Sequence, residues 1–292
     1  MTPLELLLDP LTLGFMQKAV LATVVASAVC ALLSCWLILI GWSLMGEAVS
    51  HAVLPGVVMA YVLDVPFALG ALACGVLAVW LIGALRDSTA LREDTTIGVV
   101  FTTMFAIGIM LISVVPSNID LQHILFGSLL GLSGADTIQI LVIAALTAAL
   151  LIVKRRDLTL YAFDPAQAHV IGLSLSRLKT LLLFALALTV VVTLQTIGLV
   201  LVVAMLITPG ATAFLLCRTH AQMLLVAPIL AALVSLVGLY LAFYIDVSPG
   251  GMVVTLQGAV FTAVYLGHPR TGIIARTYRR AAARRTPEPA PH

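Results

Sequence analysis

Charge is scarce in this chain, and long runs have none at all. Of 292 residues only 10% are Asp, Glu, Lys or Arg, while 62% are hydrophobic. An ordinary soluble domain carries about 25% charged and roughly 45–50% apolar residues. The mean hydropathy of +1.16 points the same way, and together these values exclude a water-soluble globular protein. Other absences narrow the chemistry. No G-x-x-x-x-G-K-S/T run occurs, so the chain does not cradle ATP phosphates in that manner. No His-Glu-x-x-His or Ser/His/Asp constellation is visible, which removes support for an intramembrane hydrolase. Only four cysteines are present, at 30, 35, 74 and 217. None has zinc-ribbon or redox spacing, and all lie in apolar runs, where they read as small packing residues.

What is present is a series of charge-free stretches, at 19–46, 65–85, 95–119, 180–217, 219–245 and 247–269. A bilayer core needs about 20 residues of helix, so each is long enough to span. The 180–217 run is too long for one pass, because a straight helix of that length would be roughly 57 Å against a core of about 30 Å. It is expected to turn near Gln195–Gly198. The segment 19–63 carries one charge, Glu47, and is expected to make two passes with a turn near Gly41 and Trp42, Trp being favoured at the membrane interface.

The predicted fold is an all-α integral membrane protein. It is a polytopic bundle of eight or nine spans near 18–40, 44–63, 65–86, 95–116, 137–153, 179–197, 198–217, 222–245 and 248–267. The interval between Ile119 and Asp136 is short, contains His123 and three glycines, and reads as a re-entrant or surface helix.

Lys and Arg collect at Arg86 and Arg92, at Lys154–Arg156, at Arg177 and Lys179, at Arg218, and in the tail from Arg270 to Arg285. The positive-inside rule places these loops in the cytoplasm, with the N-terminus outside if the spans number nine. No basic region precedes the first apolar run, which is longer than a secretory signal, so that helix is expected to remain in the membrane. The expected organisation is a transmembrane domain over 1–267, with a cytoplasmic loop at 154–179, followed by a basic, disordered cytoplasmic tail over 268–292. The tail would lie near anionic headgroups, and no nucleic-acid partner is implied.

Two residues stand out as chemistry in an apolar setting. Glu47 and His51 are four apart, so a helix places them on one face with Cβ atoms about 5–6 Å apart. A carboxylate oxygen and an imidazole nitrogen there can close on one ion at roughly 2.0–2.2 Å, a donor pair that suits manganese, iron or zinc. Ionisable groups inside membranes usually line an ion path. The same spacing also suits a Glu47 that caps the second span and a His51 satisfied in the interior. Pro55 and Gly56 then interrupt the helix one turn on, as happens where transporters expose backbone beside a site, or as a plain kink.

The run from Gly41 to Gly56, Gly-Trp-Ser-Leu-Met-Gly-Glu-Ala-Val-Ser-His-Ala-Val-Leu-Pro-Gly, resembles the signature of the metal-type ABC importer permeases, the family that takes up manganese, iron and zinc. Arg92-Glu93-Asp94-Thr95, His123-Ile124-Leu125-Phe126-Gly127, Phe163-Asp164-Pro165 and Thr208-Pro209-Gly210-Ala211 extend the resemblance over about residues 14–267.

The resemblance implies a permease dimer, either a homodimer or a pairing with a second permease. It also implies cytoplasmic ATP-binding-cassette ATPase subunits, an extracytoplasmic metal-binding protein, and the inner membrane as location. The chain itself would be a transport subunit with no enzymatic activity and no permanent cofactor, its cargo a divalent ion. The approach and exit of the signature are similar to manganese and iron members more than to zinc members. The family usually has Asp where Glu47 stands, a departure that lengthens the arm by one methylene.

His51 and Glu47 are then the metal ligands, and Leu54, Pro55 and Gly56 a gate or helix break. Two ligands do not complete a site, since zinc takes about four and manganese about six. A dimer would supply two carboxylates and two imidazoles, with Gln195, Thr208 or Met45 as other candidates. The loop 154–179 resembles ABC coupling loops. Asp164 and Pro165 start a helix there, on which Ala168 and Gly172, four apart, are expected to press against the ATPase. The competing functions are a secondary metal carrier, against which no paired broken repeats are evident, and a permease for a chelated ligand such as a siderophore, whose wide cavity would need more polar or aromatic lining.

Overall fold

The computed structural model describes residues 12–88, 90, 92–114 and 131–267. The expectations for 115–130, including His123, and for the tail from 268 onward lie outside the described residues. Those described form twelve helices: α1 Gly14–Ile40, α2 Ser43–Ala52, α3 Leu54–Val62, α4 Phe67–Ser88, α5 Glu93–Val114, α6 Gly134–Val153, α7 Arg155–Phe163, α8 Pro165–Val170, α9 Leu175–Ile197, α10 Leu199–Leu216, α11 His220–Ile245 and α12 Pro249–Gly267. Eight stretches are long and apolar enough to cross a bilayer, with α2 and α3 together counting as one. The ninth expected span is α10, whose 18 residues make it shorter than any of these eight stretches.

The turns fall where the apolar runs were too long. Gly41 takes φ 82°, closing α1 with paired bonds from the Gly41 amide to the Ile38 carbonyl (3.2 Å) and from the Trp42 amide to the Leu37 carbonyl (2.8 Å). This is the left-handed glycine cap that satisfies the last carbonyls of a helix. Trp42, in the turn itself, is buried and packs in the same core cluster as Leu37, as the residue after such a cap commonly does. Gly198, at φ 87° and ψ 168°, separates α9 from α10, in a region of backbone space that glycine alone occupies freely.

Burial separates a centre from a rim. The most apolar windows of α1, the α2–α3 span and α9 are 67%, 72% and 78% buried, whereas α12 is 17% and α5 22% buried. Rim helices present large apolar side chains outward, among them Trp80, Ile138 and Leu225. Lipid is the medium in which that arrangement costs nothing. Glycines set the tightest contacts. A Cβ on Gly56 would collide with the carbonyl of Gly70 on α4, and one on Gly210 would collide with Ser34 on α1.

Candidate functional site

Glu47 and His51 both lie on α2, one turn apart, in the span bent between α2 and α3 at Val53. Both are half-buried. The His51 ring is flanked by two aromatic rings of α5, Phe105 edge-on at 5.0 Å and 74° and Phe101 tilted at 5.8 Å and 38°. Its Nδ1 is shut from solvent and has no hydrogen-bond partner. A buried ring nitrogen normally finds a donor or acceptor, so within the chain itself the Nδ1 of His51 is left with hydrogen-bonding capacity to spare. Nothing was visible in the sequence to single out Phe101 and Phe105. They stand four apart, so both fall on one face of α5, but only packing brings that face to His51.

The break beside the site has a local and a tertiary part. Pro55 has no amide to give the carbonyl of His51, four residues back, so that carbonyl loses its helical donor next to its own imidazole. Gly56 was read as part of the break and proves to be a packing residue as well, since its lack of a Cβ admits the Gly70 backbone. Leu54 is buried and fills the space above Gly108 of α5, where an added Cβ would stand 2.8 Å from its side chain. The span is therefore wedged on two sides just beyond His51.

Among the described residues no group of three or more His, Cys, Asp or Glu side chains comes together. Glu47 and His51 therefore stand as a pair with no third such side chain beside them among the described residues, and Asp164 with His169 likewise belongs to no such group. Of the other candidate donors, Met45 is packed in the core, and Gln195, near the end of α9 beside the turn at Gly198, has a buried, unpartnered Oε1.

The loop after α6 differs from expectation in one respect. Asp164 accepts a hydrogen bond from the Gln167 amide (2.9 Å) and Pro165 opens α8, as Asp-Pro at a helix start should. Ala168 and Gly172 do not share a helix face. α8 is only six residues long and ends at Val170, and Gly172 takes φ 87° in the turn after it. The Leu173 amide bonds the Ala168 carbonyl and the Gly172 amide that of His169, both at 3.0 Å, so Gly172 closes the helix. Ala168 is fully buried inside the chain, and the residues displayed at this tip are Val170, 82% exposed, and Ile171, 58% exposed.

The chain has counterparts among known proteins. The profile of the ABC 3 transport family matches residues 12–267. The chain belongs to the ABC 3 transport family. It is 44% identical to the manganese transport system membrane protein MntB of Synechocystis over 94% of this chain and 90% of that one. It is 43% identical to the chelated iron transport system membrane protein YfeC of Yersinia pestis over 97% of each. Among solved structures, PsaBC from Streptococcus pneumoniae in complex with Fab aligns with a TM-score of 0.85 at 32% identity, covering 94% of this chain and 98% of that one. The family assignment takes in the whole bundle, α1 through α12, and so makes the chain a multi-pass membrane transport subunit.

Proposed function

We propose that the chain is the permease of an ATP-driven importer that carries a divalent metal ion, manganese or iron before zinc, into the cytoplasm. The observation that carries this reading is His51, a half-buried imidazole with an unpartnered Nδ1, one turn from Glu47 in a broken membrane span. An ion entering a low-dielectric span must exchange its hydration shell for protein donors, and apolar side chains offer none. The relatives named for manganese and for chelated iron support this cargo class.

Because each chain supplies two donors, two permeases meeting along the second span would bring together two carboxylates and two imidazoles, with water completing the sphere. Hydrolysis belongs to separate ATPase subunits. The contact with them runs through the 154–179 loop, by way of the exposed Val170 and Ile171 at a tip shaped by Asp164, Pro165, Ala168 and Gly172. Delivery of the ion falls to an extracytoplasmic metal-binding protein, and the assembly resides in the inner membrane.

Proteoliposomes holding the complete transporter test this directly. Uptake of free manganese or ferrous ion should require ATP and His51. Uptake driven by an imposed ion gradient without ATP would make the chain a secondary carrier, and uptake of an iron chelate in preference to the free ion would move the cargo to the chelated class.

A further inference from the structure

A second polar locus shares no lining residue with the Glu47 and His51 pair. A cavity of about 710 Å³ opens at the basic end of the bundle, where α6 passes into α7 and where α11 begins, against the last turns of α1. His220, the first residue of α11, is among its lining residues. Neither ring nitrogen of His220 has a hydrogen-bond partner, and both are shut from solvent. The ring is held edge-on by Trp36 of α1, at 5.7 Å and 66°, and by Phe163 of α7, at 6.0 Å and 84°. Trp36 is itself anchored, its Nε1–H donating to Thr159 Oγ1 at 3.2 Å. The imidazole is thus held between two rings with its hydrogen-bonding capacity unused, an arrangement that a ligand satisfies.

The charge around it has one sign. Arg155 and Arg156 line the cavity. The nearby carboxylate, Asp157, is engaged by Lys154 at 3.2 Å. The start of α11 adds the positive end of a 26-residue helix. The remaining wall is apolar, and two of its members, Ile152 and Leu225, are more than half exposed. They continue the outward faces of α6 and α11, two spans whose most apolar windows are only 28% buried.

From this combination we infer that the cavity is a binding site for one anionic phospholipid. Arg155 and Arg156 hold the headgroup phosphate, the His220 ring turns to bring a nitrogen to it on binding, and the slot between α6 and α11 takes the acyl chains. A soluble phosphate would use the basic rim and leave the apolar wall empty. A zwitterionic lipid would fill the wall and bring its own cation to the arginines. The lipid with net negative charge matches both halves, at the depth where headgroups lie.

The test is lipid retention by the complete transporter, purified in detergent and examined by native mass spectrometry after exposure to phosphatidylglycerol or phosphatidylcholine. Phosphatidylglycerol should be retained preferentially. Replacing both arginines, Arg155→Gln with Arg156→Gln, should weaken its retention about thirtyfold, as two interfacial basic groups imply, and should leave phosphatidylcholine unchanged. His220→Phe, which keeps the ring packing and removes both nitrogens, should weaken phosphatidylglycerol in the same selective way. If the double variant does not assemble, Leu225→Trp, which fills the mouth, should expel the lipid instead. Equal retention of the two lipids would overturn the proposal. So would displacement of phosphatidylglycerol by glycerol 3-phosphate at comparable concentration, or loss of the lipid whenever the ATPase subunits are bound, which would make the cavity part of their interface.

Discussion

The second span and the loop after α6 are built from similar words and reach opposite states. Each is a short helix with a proline, a glycine, a carboxylate and a histidine within about ten residues. In the loop every device is local: Asp164 caps the first turn, Pro165 starts it, and Gly172 ends it through two backbone bonds. In the span the same residue types leave a functional group unmet. Pro55 removes the i+4 helical donor of the His51 carbonyl, which takes the Val53 amide instead, Gly56 serves another helix, and the Nδ1 of His51 stays unpartnered among phenyl rings. A segment that satisfies itself is scaffold, and one that stays unsatisfied in a place without water has a further partner to meet.

The comparison can be broken first at His51. His51→Ala should lower ATP-dependent metal uptake at least about a hundredfold, beyond the usual 10–100-fold of losing a group that merely orients a ligand. Glu47→Ala should come close to it, and both proteins should remain in the membrane at normal abundance. Should His51→Ala reduce abundance while uptake per molecule stays near wild type, the span would be scaffold like the loop.

A smaller effect should separate the loop's outer face from its inner one. Val170→Asp with Ile171→Asp alters only exposed positions, so the melting temperature should hold. Stimulation of ATP hydrolysis by the assembled transporter should fall about tenfold, the equivalent of roughly 1.4 kcal/mol of docking. Unchanged stimulation would remove the tip from the coupling contact.

Glycine substitutions sharpen the contrast between tertiary and local use. Gly56→Ala pushes a Cβ into the Gly70 backbone and should cost about 1–3 kcal/mol, as overpacking does, read as a lower thermal midpoint. Gly172→Ala meets no atom within 4 Å but must hold φ 87°, which costs roughly 1–2 kcal/mol. Gly172→Asn should recover part of that loss, because Asn tolerates the left-handed region, whereas Gly56→Asn should be worse than Gly56→Ala. The smallest effect is expected for Glu47→Asp, which keeps the charge and shortens the arm by one methylene: uptake should persist, with relative rates for manganese, iron and zinc shifted only a few-fold.

Much of the bundle was legible in order along the chain. Glycines 41 and 198 fall within the turns that run length demanded, and α6 starts one helical turn before its expected span, at a capping box in which Ser133 and Asp136 bond reciprocally. The extent of α10 was legible too, since Leu199–Leu216 lies within the expected 198–217 and starts directly after the glycine backbone at 198. The expected helical partnership of Ala168 and Gly172 failed. Spacing of four implies a shared face only while the helix lasts, and this one stops at Val170.

By itself the sequence determined that the chain lives in lipid, where its turns lie, and that Glu47 and His51 share a helical face. Each of these follows from composition or from contacts within a few residues, where the helical period leaves no freedom. Only the tertiary structure decided that Phe101 and Phe105 enclose His51, that Gly56 is a seat for Gly70, and that Arg155, Arg156 and His220 line one cavity. Those pairings join residues far apart along the chain, and in a uniformly apolar sequence no periodic pattern marks which face of a helix turns inward. Close packing of backbones and small side chains selects the partners instead.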